Sequence, residues 1–417
     1  MRLKRTALLG QKDHGKSTLL GSLLIETGAA SQARIREARR ASEQLGRKFE
    51  PAFILDSFSE EREDAMTVDT TRAQVPFGNM AFEFIDVPGH EELMSNMLSG
   101  ASYADTALLL VSAAPSEGVT DQTKRHLFIA KLLGIDRLTV AVNKMDVADY
   151  SRHAFESVVD GLSGFLEKVG FDPSHVRFVP ISAYNSQNLI RSSAFMPWYS
   201  GQPLMQTLMS LESSDITAGG GACLATVQGY IEGPRIISGR VLSGSVTRGE
   251  KVLLLPAGKQ FSVGRIWVGG TERERTTPPE SFALELLGDL PVDVEGSVIC
   301  DLASPPPVGQ VVIAIAFFLN PPTQHMELVS MGSSTGVKSM DFLEAIDPTT
   351  CNTVPGQSPQ PLQAAIIRIA LESPRVIVTS DKQRELGRFV LRDSAGLVAI
   401  AVVRDNWAPG RSQSSIT

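Results

Sequence analysis

The stretch "GQKDHGKST", Gly10–Thr18, follows the apolar run "TALLG" and leads into "LLGSLL". A short buried strand, a glycine-bounded loop and the first turn of a helix fit that order. GQKDHGKS satisfies the pattern GxxxxGK[ST], a loop that cradles phosphate. Glycines at Gly10 and Gly15 let backbone N–H groups close around phosphate oxygens, and the following helix N-terminus adds positive potential. Lys16 is placed to reach the outer phosphates and the Ser17 hydroxyl to ligate Mg²⁺. Asp13, His14 and Thr18 complete the loop. The pattern specifies a nucleoside triphosphate and leaves its base open.

The base is read from three later loops. "DVPGH", residues 86–90, follows the apolar run "AFEFI". Asp86 at a strand end is placed to hold Mg²⁺ through water. Gly89 lets a backbone N–H approach the terminal phosphate, and His90 sits where a side chain orients attacking water. "NKMD", residues 143–146, follows "RLTVAV". The Asp146 carboxylate can accept N1–H and the exocyclic amine of guanine together, a pairing adenine cannot offer. Asn143 ties this loop to the phosphate loop, and the Lys144 stem covers one face of the base. Ser182 and Ala183 of "SAY", after "RFVPI", supply a backbone donor for the guanine carbonyl. Four short patterns in this order, each at the end of an expected strand, identify the ligand as GTP.

The chain of 417 residues is long enough for two or three domains. With 42% hydrophobic and 20% charged residues it has an ordinary globular composition. A net charge of -7 argues against a broad nucleic-acid-binding surface. Cys223, Cys300 and Cys351 form no CxxC pair, so buried free thiols in a reducing, cytoplasmic setting are expected. No apolar run approaches the length of a membrane span, and the N-terminus does not read as a signal peptide.

Apolar runs alternate with amphipathic stretches up to residue 212, which predicts a mostly parallel sheet covered by helices on both faces. Residues 213–222, "SSDITAGGGA", read as a linker. Short strands between glycine turns then predict a β-barrel over 223–304. A second, divergent β-barrel is expected over 305–407, with 321–360 resisting assignment, and residues 408–417 read as a disordered tail. Lys124, Arg125 and His126 of "KRHLF" are expected on a solvated helix face, the run "EEREDAM" as the exposed approach to a switch segment, and Trp198 and Tyr199 at a domain junction.

Together these motifs resemble the translation-factor class of GTPases, in which a histidine follows DxxG and two β-barrels follow the G domain. Within that class, "ILDSFSEEREDAMTVDTT", "NMLSGASYADTALLLVSA", "NKMDVADYSRHAFE" and "MPWYSGQPLMQTL" resemble the GTPase large subunit of bacterial sulfate adenylyltransferase. That likeness implies a subunit that hydrolyses GTP to drive formation of adenosine 5′-phosphosulfate from ATP and sulfate by a smaller catalytic partner. The other function expected of the class is an elongation-factor-like carrier of aminoacyl-tRNA acting on the ribosome; a specialised pathway relative of the sulfate-activating GTPase is a further reading. The resemblance also places Thr67 as the switch threonine completing Mg²⁺ coordination. Ala65 and Met66 replace the usual Gly-Ile before it, and Lys12 stands where the class has an apolar residue near the catalytic histidine.

Overall fold

The computed structural model describes residues 2–44, 46, 49–55, 72–86, 104, 106–211, 221–231, 235–288, 291 and 294–404. The chain divides into two compact units, one made essentially of residues 1–214 and the other of two β-barrels.

The first unit is built on a six-stranded sheet in the order β2-β3-β1-β4-β5-β6. Its strands are β1 (Arg2–Gly10), β2 (Arg72–Phe77), β3 (Met80–Asp86), β4 (Thr106–Ser112), β5 (Leu138–Asn143) and β6 (Val176–Pro180). β2 runs antiparallel to β3, and the remaining neighbours are parallel. Every residue of β4 and β5 is buried, as expected of strands covered on both faces. Helix α1 (Lys16–Glu26) leaves β1 through the glycine loop and buries Leu19, Leu20 and Leu23 against Leu8, Phe82, Phe84 and Leu110. α2 (Gln32–Gln44) adds Ala38 to this core.

α3 (Asp121–Leu132) opens on a capping box between Thr120 and Thr123, which satisfies two of its otherwise orphaned N-terminal groups. α4 (Arg152–Val169) begins at the Ser151 cap, ends at left-handed Gly170 and buries Val158, Leu162, Phe165, Leu166 and Val169, a helical stripe. The short α5 (Leu204–Ser210) closes the unit. Buried Lys4 of β1 donates to the Leu208 carbonyl at 2.9 Å and to the Leu211 carbonyl, so its ammonium caps carbonyls that α5 cannot pair internally.

One expectation changes here. His126 is buried, on the same side of α3 as Thr123, Leu127 and Ala130, while Lys124 and Arg125 are partly exposed. The charged run therefore is not a uniformly solvated face. Trp198 and Tyr199 pack within the first unit: both rings lie against Phe155 of α4, and Trp198 Nε1 donates to the Tyr150 carbonyl at 2.9 Å.

In the second unit, the first barrel closes in the order Lys251–Leu255, Val298–Cys300, Leu224–Ile231, Ile236–Ser243, Ser281–Leu287 and Lys259–Val268, the last strand pairing back with the first. The second closes likewise through Glu327–Ser330, Arg388–Asp393, Gly396–Val403, Val308–Phe318, Ala364–Val376 and Ser333–Ile346. Closure removes the exposed strand edges that open sheets must protect. Each barrel has its own core, and Leu242 and Val298 of the first share a small cluster with Val378 and Leu386 of the second. Most of residues 321–360 is strand: Ser333–Ile346 spans much of it. All three cysteines are buried and stand outside any disulfide. Most of the expected linker, Thr67, Gly89, His90 and the 408–417 segment lie outside the described residues.

Candidate nucleotide site

β1 ends at Gly10, which pairs in register with Leu110 of β4. A Cβ at Gly10 would stand 2.9 Å from the Leu110 carbonyl oxygen, and its φ is +146°, so the chain leaves the sheet where only glycine fits. Asp13 at φ 69° and Gly15 at φ 90° continue the loop in left-handed backbone, a conformation Asp tolerates better than most residues. α1 then starts with no side-chain cap and no acidic residue in its first turn. Its N–H groups and dipole are thereby left to an anion. Lys12, Asp13 and Ser17 are exposed around this opening. Lys16 Nζ curls back to the carbonyls of Gly10 at 2.7 Å and Gln11 at 3.2 Å. These features fit a phosphate chain, and Ser17 fits a Mg²⁺ ligand.

His14 is buried, with Nδ1 at 3.1 Å from the Leu110 carbonyl. Burial holds its imidazole below the ordinary value, against the opposing pull of the Leu110 carbonyl and the Glu117 carboxylate. A neutral ring donating to Leu110 makes it a loop anchor. Gln11 is tethered as well: its Oε1 accepts from the Thr120 hydroxyl at 3.0 Å.

The second loop leaves β5 at Asn143. Asn143 Nδ2 donates to the His14 carbonyl at 2.9 Å, and its Oδ1 accepts from the Ala183 N–H at 2.9 Å. One buried amide thus joins the phosphate loop, the NKMD loop and the SAY loop. The Ala183 N–H, expected to meet a base carbonyl, is directed at Asn143 in this structure. Asp146 Oδ1 accepts from Ser182 Oγ at 2.6 Å. Lys144, at φ 61°, pairs with both Glu117 oxygens at 2.9 Å. Burial would raise the Glu117 carboxyl, but the hydrogen bonds from Lys144 and Ser112 and the Lys144 charge outweigh it and hold the group below its ordinary value.

Gly15, Lys16, Ser17, Asn143, Lys144 and Asp146 open onto one cleft of about 820 Å³, a size suited to a small-molecule ligand. Thr18 lines it too. β3 ends at Asp86 beside β1, paired in register with Leu8; its side chain, Gly89, His90 and Thr67 are outside the described residues. Among contacts the sequence patterns did not flag, Glu117 and Gln11 join the site through Lys144 and Thr120. Glu117 lies outside every local motif, and Gln11 occupies a position that GxxxxGK[ST] leaves unspecified.

A glycine loop on an uncapped helix, a carboxylate-bearing loop beside it and two closed barrels downstream define a P-loop nucleotide-binding protein with a translation-factor domain plan. The family described as "Elongation factor Tu GTP binding domain" matches residues 1–216. The chain is 33% identical over 414 residues to elongation factor 1-alpha of Methanosarcina mazei, covering 94% of this chain and 95% of the relative. It is 34% identical over 421 residues to elongation factor 1-alpha of Sulfurisphaera tokodaii, covering 95% and 96%. The S. cerevisiae Ski7 GTPase-like domain, solved bound to GTP, shares the fold at 15% identity and a TM-score of 0.54, over 97% of this chain and 98% of that one. The chain belongs to the elongation factor Tu and 1-alpha family of translation-factor GTPases, and it binds GTP with Mg²⁺. No described helix is long and apolar enough to cross a membrane.

Proposed function

We propose that this chain is a GTP-switched carrier of the elongation-factor kind, binding aminoacyl-tRNA in its GTP state and releasing it at the ribosome after hydrolysis. The supporting observation is the length of its likeness to elongation factor 1-alpha, which runs through the G domain and both barrels. The sulfate-activating reading rests on local G-domain segments alone, and the full-length relatives reported above are elongation factors, so it takes second place.

In this reading Lys16 and the α1 N-terminus bind the phosphates, and Asp146 selects guanine. Ser17, Asp86 and Thr67 would hold Mg²⁺, which supplies charge neutralisation at the phosphates when bound. His90 would orient the attacking water. Several barrel arginines are already engaged by acids: Arg248 by Glu272 and Glu274, Arg265 by Glu285, and Arg273 by Glu280. Few phosphate contacts and a shallow salt dependence of RNA binding are therefore expected.

The test is protection of the aminoacyl ester of charged tRNA against hydrolysis, with GTP and with GDP. Protection that requires GTP supports the carrier. No protection, together with GTP-dependent stimulation of sulfate-dependent ATP–pyrophosphate exchange by a co-purifying catalytic subunit, would favour the sulfate-activating reading instead.

A further inference from the structure

The loop bearing Asp146 is closed into a ring by two residues outside every nucleotide-binding pattern. Asp146 Oδ1 accepts from Ser182 Oγ at 2.6 Å, and the same Oγ accepts from the Asn185 N–H at 3.2 Å. Asn185 Nδ2 donates to the Tyr150 hydroxyl at 3.3 Å. The Tyr150 N–H donates to the Met145 carbonyl at 2.7 Å, which returns the ring to the residue before Asp146.

Tyr150 is held in an unusual way. Asp149 and Tyr150 have φ of 50° and 53°, a left-handed backbone that is costly for a bulky residue and persists only when neighbours over-determine it. Here they do. Trp198 Nε1 donates to the Tyr150 carbonyl at 2.9 Å, and the Phe195 ring stacks on Tyr150 with centroids 5.0 Å apart and planes 17° apart. Phe195 is itself 61% exposed, so this stack sits at the surface. The hydroxyl is thus fixed at one point, and Asn185 hangs from it.

We propose that Tyr150 and Asn185 are positioning residues for guanine selectivity, acting through Ser182 on the orientation of the Asp146 carboxylate. This rests on the assignment of Asp146 to the guanine base. A carboxylate accepts the ring N–H and the exocyclic amine together only in one orientation, so loosening the ring costs the amine contact first. The exocyclic amine is what distinguishes a guanine from a hypoxanthine nucleotide.

The test compares GDP with IDP on the full chain, by competition against a fluorescent GDP. Tyr150→Phe keeps the stack on Phe195 and removes the hydroxyl. Asn185→Ala removes the donor at an exposed position, so it reads the same bond should the first variant be unstable. Each is expected to weaken GDP about threefold to tenfold, the range for one lost hydrogen bond, with a smaller change for IDP. The double variant should be no worse than either single one, because both act through one contact. Equal loss of GDP and IDP, no loss of either, or additive losses would overturn the proposal. Asp146→Asn separates the two levels of inference. If it fails to shift preference toward xanthine nucleotides, the base assignment fails; if it shifts preference while the ring variants change nothing, only the ring proposal fails.

Discussion

Asn143 Nδ2 donates to the carbonyl of His14 at 2.9 Å, joining the NKMD loop to the phosphate loop across 129 residues of chain. The same amide accepts from the Ala183 N–H at 2.9 Å. Removing it by Asn143→Ala would leave a buried carbonyl and a buried N–H without this partner, each a loss of about 1–3 kcal/mol. A fall in the urea midpoint is expected, together with GDP release at least about tenfold faster, measured with a fluorescent nucleotide.

Gly15→Ala tests the same junction from its other side. A Cβ at Gly15 would stand 2.5 Å from Asn143 Nδ2, and φ there is +90°. The substitution should therefore break the Asn143 contact as well as strain the loop. Its effect on nucleotide release is expected to match or exceed that of Asn143→Ala, and the two should combine to much less than their sum. Release rates of both singles and the double decide the point.

His14 makes stability depend on pH. Its ordinary value is 6.5, and burial holds it lower in the folded chain. Below about pH 6.5 the unfolded chain takes up a proton that the folded loop resists, so stability falls as pH falls toward the folded value. His14→Gln keeps an amide donor for the Leu110 carbonyl and does not titrate. Urea unfolding from pH 7.5 to 5 should show a steeper decline for the unaltered chain than for this variant.

The G domain was legible because its chemistry sits at strand ends. Gly10, Asp86 and Asn143 each close a strand, and the apolar runs before them are buried enough to read without ambiguity. The second barrel was harder for a physical reason. Its strand Ser333–Ile346 is largely exposed or half-buried, and its register shifts between Val337 and Ser339 and between Phe342 and Glu344. Each shift inverts the alternation that marks a strand. The exposed cross-strand pair Asp341 and Arg368 also reads as loop polarity when its partner strand is unknown. His126 was legible in principle, since Thr123, His126, Leu127 and Ala130 repeat at helical spacing. The ring through Tyr150 and Asn185 was not, because its contacts depend on a left-handed backbone that sequence spacing does not specify.

The cysteines should be chemically silent in the folded protein. Burial first, then the Asp301 charge, pushes the Cys223 thiol up to about 12, and the same causes push Cys300 to about 11. At pH 8 roughly one thiol in ten thousand at Cys223 and one in a thousand at Cys300 would be thiolate, the reactive form. Cys351 is buried too. Iodoacetamide at pH 8 should leave all three unmodified in native protein and label all three in guanidinium, as counted by intact mass. Labelling of native protein at Cys223 would contradict this burial.

Two glycines in helices should respond to alanine with opposite signs. In an open helix interior alanine is better than glycine by about 1 kcal/mol. Gly164 of α4 has nothing within 4 Å of a Cβ, so Gly164→Ala is expected to raise the melting temperature by a few degrees. Gly21 of α1 lies against the backbone of Pro51, where a Cβ would stand 1.9 Å from the carbonyl oxygen and 2.5 Å from its carbon. The obstacle is main chain, not a side chain that can turn away, and the neighbouring Ile54 and Leu55 are packed in the same core as α1. Overpacking there should cost about 1–3 kcal/mol, more than the helix gains. Gly21→Ala is therefore expected to lower the melting temperature, and, on the proposed placement of the phosphates at the α1 N-terminus, to weaken GDP as α1 is pushed from its seat. Thermal scans of both variants, with and without GDP, test the pair. A stabilised Gly21→Ala would mean that Pro51 does not pack on α1 in solution.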